Sequence, residues 1–514
     1  MGTERQEALG QARSRRPLCY YGDDFTGSTD VLESLFSAGL KTVLFLEPPT
    51  SELLETRFGD VDCFGVAGVG RSMTPEEMDR ELRPIFRMLK ASGAAVVHYK
   101  ICSTFDSSPG IGSIGKAAEI GREVFGGRYI PLLAGVPYLG RYTVFGQHFA
   151  AGGGVGGGPG AVHRLDRHPT MSRHPITPMA EADLLRHLRQ QTALPSDLLD
   201  IRALDGTEAE AQERLEALLA SGEQPAELVL FDVLDERRLE TAGRLIWHEA
   251  ERGDGLFVIG SSGVEYALGA VWRRDRELGG VASPAAGAIE GASDAAVAGA
   301  ALPSAEPCAA GAPIAPAAAS AQRSPAAPSP LLVVSGSCSP VTERQIDRAL
   351  ETGFHGIRVP VEKLIRAETR AATVGELLSE ARGALECGRS VIVYSAAGPK
   401  DASIDLLRDL LAVQGLRPED SSRLLGSALG LLTKALVQML RLPRVLIAGG
   451  DTSGYVTREL GIYALACKAV LDPGGPLCRA YAAEAPFDGL ELVLKGGQVG
   501  SPDFFAKVAA WHCE

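Results

Sequence analysis

At 514 residues, with 45% hydrophobic and 22% charged side chains, the chain has material for two hydrophobic cores and the composition of an ordinary globular protein. A formal net charge of -13 argues against a dedicated nucleic-acid or anionic-membrane surface, because such surfaces concentrate Lys and Arg. Nine cysteines without a C-x-x-C pair point to reduced thiols and a cytoplasmic setting, not a disulfide framework.

Residues 1–16 are polar and lack an apolar stretch, so they read as a disordered lead-in and not a secretory signal. No run approaches the roughly 20 apolar residues of a membrane span. The first predicted strand, Leu18–Tyr21, leads into Gly22-Asp23-Asp24-Phe25-Thr26-Gly27 and a helix through Val31–Phe36, with Ser28 or Thr29 as its cap. Adjacent carboxylates at a strand tip repel each other. They make sense if they hold polyol hydroxyls, orient a nucleophile or bind a cation; helix capping by polar loop residues is the plainer alternative.

Further strands are predicted at Thr42–Leu46 and Ala95–Tyr99, the latter ending in Lys100-Ile101-Cys102-Ser103-Thr104-Phe105-Asp106. A strand-end ammonium beside two hydroxyls and a carboxylate can cradle an organic acid, although a lone lysine there is usually solvated. Ala150–Gly160 reads as a glycine-rich surface loop. His163, His168 and His174 lie in a Pro- and Arg-rich segment that also reads as a loop, better suited to an anion than to zinc, which wants a rigid ligand set. Strands at Leu228–Asp232 and Leu256–Ile259 follow. From about Gly279 to Pro330 the chain is mostly Ala, Pro, Gly and Ser and cannot bury enough surface to offset its ordering entropy. This divides the chain into a domain over 17–270, a linker or insertion over 271–330 and a second domain over 331–514.

The second half has predicted strands at Leu331–Ser335, Gly356–Val359, Ser390–Ser395, Arg444–Ala448 and Leu490–Leu494. After the first comes Gly336-Ser337-Cys338-Ser339-Pro340, with Ser339 as helix cap and Pro340 as first residue, a start whose exposed amides favour phosphate. Cys338 has no local His partner and reads as packing. After Arg444–Ala448 comes Gly449-Gly450-Asp451-Thr452-Ser453-Gly454, where two glycines let a triphosphate lie against the backbone and Asp451 and Thr452 can position magnesium or nucleotide oxygens. Neither the Walker A spacing nor G-x-G-x-x-G is present. Lys495-Gly496-Gly497 is a further, weaker strand-end glycine loop. Apolar runs alternating with helical patterns predict an α/β fold of two domains. Each has a mostly parallel sheet flanked by helices, and ligands bind outside the carboxyl ends of the strands.

Five motifs in order, Gly22-Asp23-Asp24-Phe25-Thr26-Gly27, Lys100-Ile101-Cys102-Ser103-Thr104-Phe105-Asp106, His174-Pro175-Ile176-Thr177-Pro178-Met179, Ser335-Gly336-Ser337-Cys338-Ser339 and Gly449-Gly450-Asp451-Thr452-Ser453, resemble the four-carbon acid sugar kinase family, also called DUF1537. The resemblance implies an N-terminal domain for the acid sugar, a C-terminal domain for ATP with Mg2+, and catalysis in the cleft between them. By position, Asp24 or Asp23 would take the proton of the reacting hydroxyl. Arg71, Lys100, Ser103, Thr104 and Asp106 would hold the acid, Arg71 through its carboxylate. Ser337, Gly449, Gly450, Asp451, Thr452 and Gly497 would contact the nucleotide, with no metal held by protein ligands alone beyond a contribution from Asp451. Cys102-Ser103-Thr104-Phe105-Asp106 looks like the 3-oxo-tetronate kinase branch, with threonate and erythronate as related acids. The following Ser107-Ser108-Pro109-Gly110-Ile111-Gly112 departs from that branch and leaves 3-oxo-isoapionate as a rival substrate. A sugar-acid sensor without catalysis is the non-kinase alternative. The expected partner is a small sugar acid, with no nucleic acid and no membrane, and a homo-oligomer is compatible with this reading.

Overall fold

A computed structural model describes residues 15–153, 159–174, 177–221, 224–278, 329–416 and 420–511. The first half contributes β1 (Leu18–Gly22), β2 (Thr42–Phe45), β3 (Cys63–Ala67), β4 (Val96–Lys100), β5 (Ile130–Leu133), β6 (Arg141–Val144), β7 (Gln147–Gly153), β8 (Pro159–Arg164), β9 (Ser196–Leu199), β10 (Leu228–Phe231) and β11 (Leu256–Gly260). The second contributes β12 (Leu332–Ser335), β13 (His355–Arg358), β14 (Val391–Tyr394), β15 (Arg444–Ala448), β16 (Ile462–Val470), β17 (Pro476–Ala482) and β18 (Glu491–Lys495). All ten predicted strands form, shifted by a residue or so. Strands such as β1 and β4 are buried throughout, as expected where helices cover both faces of a parallel sheet.

The two halves share one sheet of 15 strands, in the order β13-β14-β12-β15-β18-β17-β16-β2-β3-β1-β4-β11-β5-β10-β9. In this sheet β2-β3-β1-β4-β11-β5-β10-β9 of the first half and β13-β14-β12-β15-β18 of the second are each parallel, and the antiparallel pairs β18–β17, β17–β16 and β16–β2 join the two sets. Strands of the two halves therefore start from opposite directions. Five steps separate β18 from β1, and at roughly 20–25° of twist per step the accumulated rotation turns the two sets of carboxyl ends towards each other. A separate antiparallel sheet, β6-β7-β8, sits over the first half.

Several expectations need correction. Ala150–Gly153 and Pro159–Gly160 of the expected glycine-rich loop belong to β7 and β8, and residues 154–158 lie outside the described residues. His163 is on β8, and 165–167 and 171–173 form single 3-10 turns instead of a loop. The helix Gly263–Leu278 continues past residue 270, where the first domain was drawn to end; 279–328 of the expected linker, like 1–14 of the lead-in and Pro175-Ile176 of the third family motif, lie outside the described residues. The helix Asp420–Leu440 reaches the length and apolarity of a membrane span, but half of it is buried and it packs chiefly on the helices Gly450–Glu459 and Ala367–Glu386, as a core helix does.

Candidate active site between the two halves

β1 stops at Gly22, and the next two residues carry the carboxylates. Asp24, not Ser28 or Thr29, caps the helix Phe25–Ser37: its Oδ1 accepts from Gly27 N–H at 2.9 Å. The helix thus begins four or five residues earlier than a cap at Ser28 or Thr29 implies. The two acids have different surroundings, with side-chain exposures of 4% for Asp23 and 29% for Asp24. Burial pushes Asp23 up to about 6 in spite of the opposing pull of Arg71.

Arg71, on the turn after β3, forks both acids. Its Nη2 donates to Asp23 Oδ1 at 2.7 Å and Asp24 Oδ1 at 3.0 Å, while Nε reaches Asp23 Oδ2 and Nη1 reaches Asp24 Oδ2, each at 3.2 Å. The arginine expected to meet a substrate carboxylate is therefore largely committed to fixing the two Asp, with one Nη1 hydrogen left over. Lys100, at the end of β4, is 3% exposed; its Nζ donates to Ile101 O at 2.9 Å and lies 4.0 Å from Asp30. Gly27 makes this approach possible, since a Cβ there would sit 2.9 Å from Lys100 Nζ.

A cavity of about 350 Å³ is lined by Asp24, Arg71, Lys100, Cys102 and Ser103 from the first half and by Gly474, Gly496, Gly497 and Gln498 from the second, with Tyr138, Leu139 and Tyr266 at its side. Thr104 and Asp106 are not among its lining residues. They are buried behind it, Thr104 Oγ1 donating to Asp106 Oδ1 at 2.9 Å, and so shape the loop. Between them Phe105 takes a φ of 59°, rare for an aromatic residue and sustained only by surrounding packing. Burial pushes the Cys102 thiol up to about 11, which keeps it protonated and non-nucleophilic.

His148 of β7 was missed by sequence reasoning. Its Nε2–H donates to Ser103 O at 2.8 Å while Nδ1 accepts from Thr143 Oγ1 at 3.0 Å. Burial lowers it to about 4, so the ring is neutral and can hold this tautomer at any ordinary pH. A lone histidine 45 residues away carries no local signal of this contact.

A second cavity, of about 430 Å³, has Ser337, Gly449, Gly450, Asp451, Thr452 and Gly497 at its polar end and Val361, Ile404, Leu407 and Leu425 on its apolar wall. Every residue expected to contact nucleotide lines it. Gly449 has a φ of 120°, a conformation that favours glycine, and turns β15 into the helix Gly450–Glu459, whose first residues face the cavity. Ser339 caps the helix Pro340–Glu351 as expected, accepting from Thr342 N–H at 3.1 Å. Cys338, expected to pack, is exposed and lines this cavity. Among the described residues, Asp451 is the one carboxylate in the lining; it accepts from Ser422 Oγ at 2.8 Å. An exposed carboxylate beside a phosphate-sized cradle fits a magnesium ion that takes its other ligands from phosphate and water.

The two cavities share Gly497. A polyol hydroxyl held at Asp24 and a phosphate chain lying on the glycine loops would meet there, which is the geometry of group transfer between two bound substrates.

Residues 18–268 match the model of a sugar-binding N-terminal domain and residues 332–505 that of a nucleotide-binding C-terminal domain. The chain is 44% identical to the 3-oxo-isoapionate kinase of Paraburkholderia graminis, over 96% of this chain and 93% of that one. It is 29% identical to the 3-oxo-tetronate kinase of Pseudomonas fluorescens, over 96% of each. Among solved structures, a Salmonella typhimurium LT2 protein superposes with a TM-score of 0.71 at 23% identity, covering 96% of this chain and 98% of its own. A Haemophilus influenzae DUF1537 protein gives 0.65 at 23%, covering 95% and 98%. At that identity the structural likeness is one of fold.

Proposed function

Because the chain belongs to the four-carbon acid sugar kinase family and is a phosphotransferase acting on a sugar acid, we propose that it transfers the γ-phosphoryl group of ATP to a hydroxyl of 3-oxo-isoapionate. The observation that carries the mechanism is the shared Gly497, which joins an acceptor cavity holding Asp24 to a donor cavity built on glycine loops.

Asp24 accepts the hydroxyl proton as that oxygen bonds to the γ-phosphorus and the bond to the β-phosphate oxygen breaks, releasing ADP. Arg71 fixes the Asp24 carboxylate, and Asp23 anchors Arg71 from behind. Lys100 and Ser103 bind the acid's carboxylate and hydroxyls, while Thr104, Asp106 and His148 hold the loop that presents Ser103. Ser337, Gly449, Gly450, Thr452 and Gly497 receive the nucleotide phosphates. Magnesium arriving with ATP would be held by Asp451 and neutralise charge on the phosphate oxygens.

The choice of 3-oxo-isoapionate follows the 44% relative. A second reading, 3-oxo-tetronate, is favoured by the Cys102–Asp106 motif and by relatives near 29%. Coupled ADP release with magnesium and ATP against 3-oxo-isoapionate, 3-oxo-tetronate, threonate and erythronate separates these. Turnover with 3-oxo-isoapionate alone supports the proposal, and turnover with 3-oxo-tetronate alone reverses the order. ATP binding without turnover on any acid would favour a sensor.

A further inference from the structure

Lys495 ends β18 and is 2% exposed, with its long side chain inside the second half. Its Nζ donates to Thr342 Oγ1 at 3.0 Å. Thr342 Oγ1 in turn lies 3.0 Å from Ser337 Oγ and 3.0 Å from Gly497 O, and both of these residues line the nucleotide cavity. Ser339 Oγ also donates to Gly497 O, so the lysine sits directly beneath a hydroxyl-linked cradle.

What the lysine lacks is a counter-ion. The other cations of the cleft have one: buried Lys100 has Asp30, and part-buried Arg71 has Asp23 and Asp24. Among the described residues no carboxylate pairs with Lys495. Acids on the elements around it are directed away from it or are bound to other partners. Glu343 of the helix Pro340–Glu351 lies against Gly398, Asp451 accepts from Ser422, Asp472 accepts from Ser501 and Lys507, and Asp24 is held by Arg71. The neighbouring strand β15 presents Ala448 at this level. A buried ammonium without a partner is costly, and burial draws Lys495 down to about 7, leaving mostly neutral amine in mildly alkaline solution.

We propose that Lys495 is a positioning residue for the nucleotide: it takes a proton from solvent as the phosphates arrive, and its ammonium, acting through Thr342, Ser337 and Gly497, becomes their buried counter-charge. This rests on the reading of the second cavity as the nucleotide site. The phosphate chain supplies the negative charge that the protein itself omits, so the ammonium is stabilised only in the loaded enzyme.

The test is calorimetric titration of the whole protein with ADP and magnesium at about pH 8, in two buffers of different ionisation enthalpy. Wild type is expected to take up about half to one proton per ADP bound. Lys495→Met is expected to lose that uptake and to weaken ADP binding by roughly tenfold to a hundredfold, with a smaller change in KM for the sugar acid. Lys495→Arg, permanently charged, is expected to keep affinity closer to wild type but show no uptake. Wild-type binding without proton uptake overturns the proposal even if the variants fail to fold, as does a Lys495→Met protein that binds ADP within about twofold of wild type. No ADP binding by wild type overturns the nucleotide-site reading itself.

Discussion

Asp23 and Asp24 are neighbours in the chain but occupy different media, and this divides their roles. Asp24 reaches the acceptor cavity and Asp23 does not. Replacing Asp24 by Asn keeps an oxygen to cap Gly27 and removes the proton acceptor, so kcat is expected to fall about 10²–10⁴-fold while KM for ATP stays within roughly threefold. Equal loss of both in steady-state kinetics would mark Asp24 as structural. Asp23 also affects stability. Its folded value of about 6 lies above the ordinary 3.8, so the folded state holds the proton more tightly. That contribution is present in acid below the unfolded value and is lost as pH rises through about 6. Asp23→Asn removes this titration, so its urea midpoint is expected to fall less than that of wild type between about pH 4 and pH 7.

At the scale of elements, the start of the helix Phe25–Ser37 meets the start of the helix Gly450–Glu459. A Cβ on Gly450 would overlap Thr26 Oγ1, and Gly454 faces Phe25. Gly450→Ala should therefore push the two loops apart and cut kcat/KM for ATP by at least about tenfold, at a cost of roughly 1–3 kcal/mol for overpacking. Adding Thr26→Ala removes the overlapping hydroxyl and should recover much of the loss. A double variant no better than Gly450→Ala would place the damage in the phosphate cradle instead. The sequence made these loops visible because each follows a continuous apolar run and carries small or polar residues at its tip. What it concealed was partnership. Arg71 serving two acids, and His148 holding Ser103, join residues 45 or more positions apart with no periodic pattern. The strands β16 and β17 were passed over for a related reason. Ile462–Val470 and Pro476–Ala482 show no clean alternation of apolar and polar residues, β16 is only partly buried although nearly all apolar, and its register is set by β2 of the other half.

For the molecule as a whole, a continuous sheet holds the halves in fixed register, Arg57 pairs with Asp488 across them, and at the acceptor cavity a carboxylate of the first half grips a loop of the second. Glu33, on the helix Phe25–Ser37, accepts the Gly474 N–H with both carboxylate oxygens, at 3.0 and 3.1 Å, and both residues line the acceptor cavity. Burial raises Glu33 to about 7 despite that bond. A carboxyl raised above its ordinary 4.5 stabilises the fold in acid and loses that contribution as pH climbs through about 7. Glu33→Gln keeps an oxygen for Gly474 but has no charge to bury. Its unfolding free energy is expected to exceed that of wild type by roughly 1–3 kcal/mol at about pH 8 and to converge with it below about pH 5. Glu33→Ala removes the acceptor and should lower kcat/KM for the sugar acid while leaving ADP affinity intact, because the freed loop borders only the acceptor cavity. If Glu33→Ala instead weakened ADP and sugar acid alike, the bond would be setting the angle between the halves, and the sheet alone would not be enough to align the two substrates.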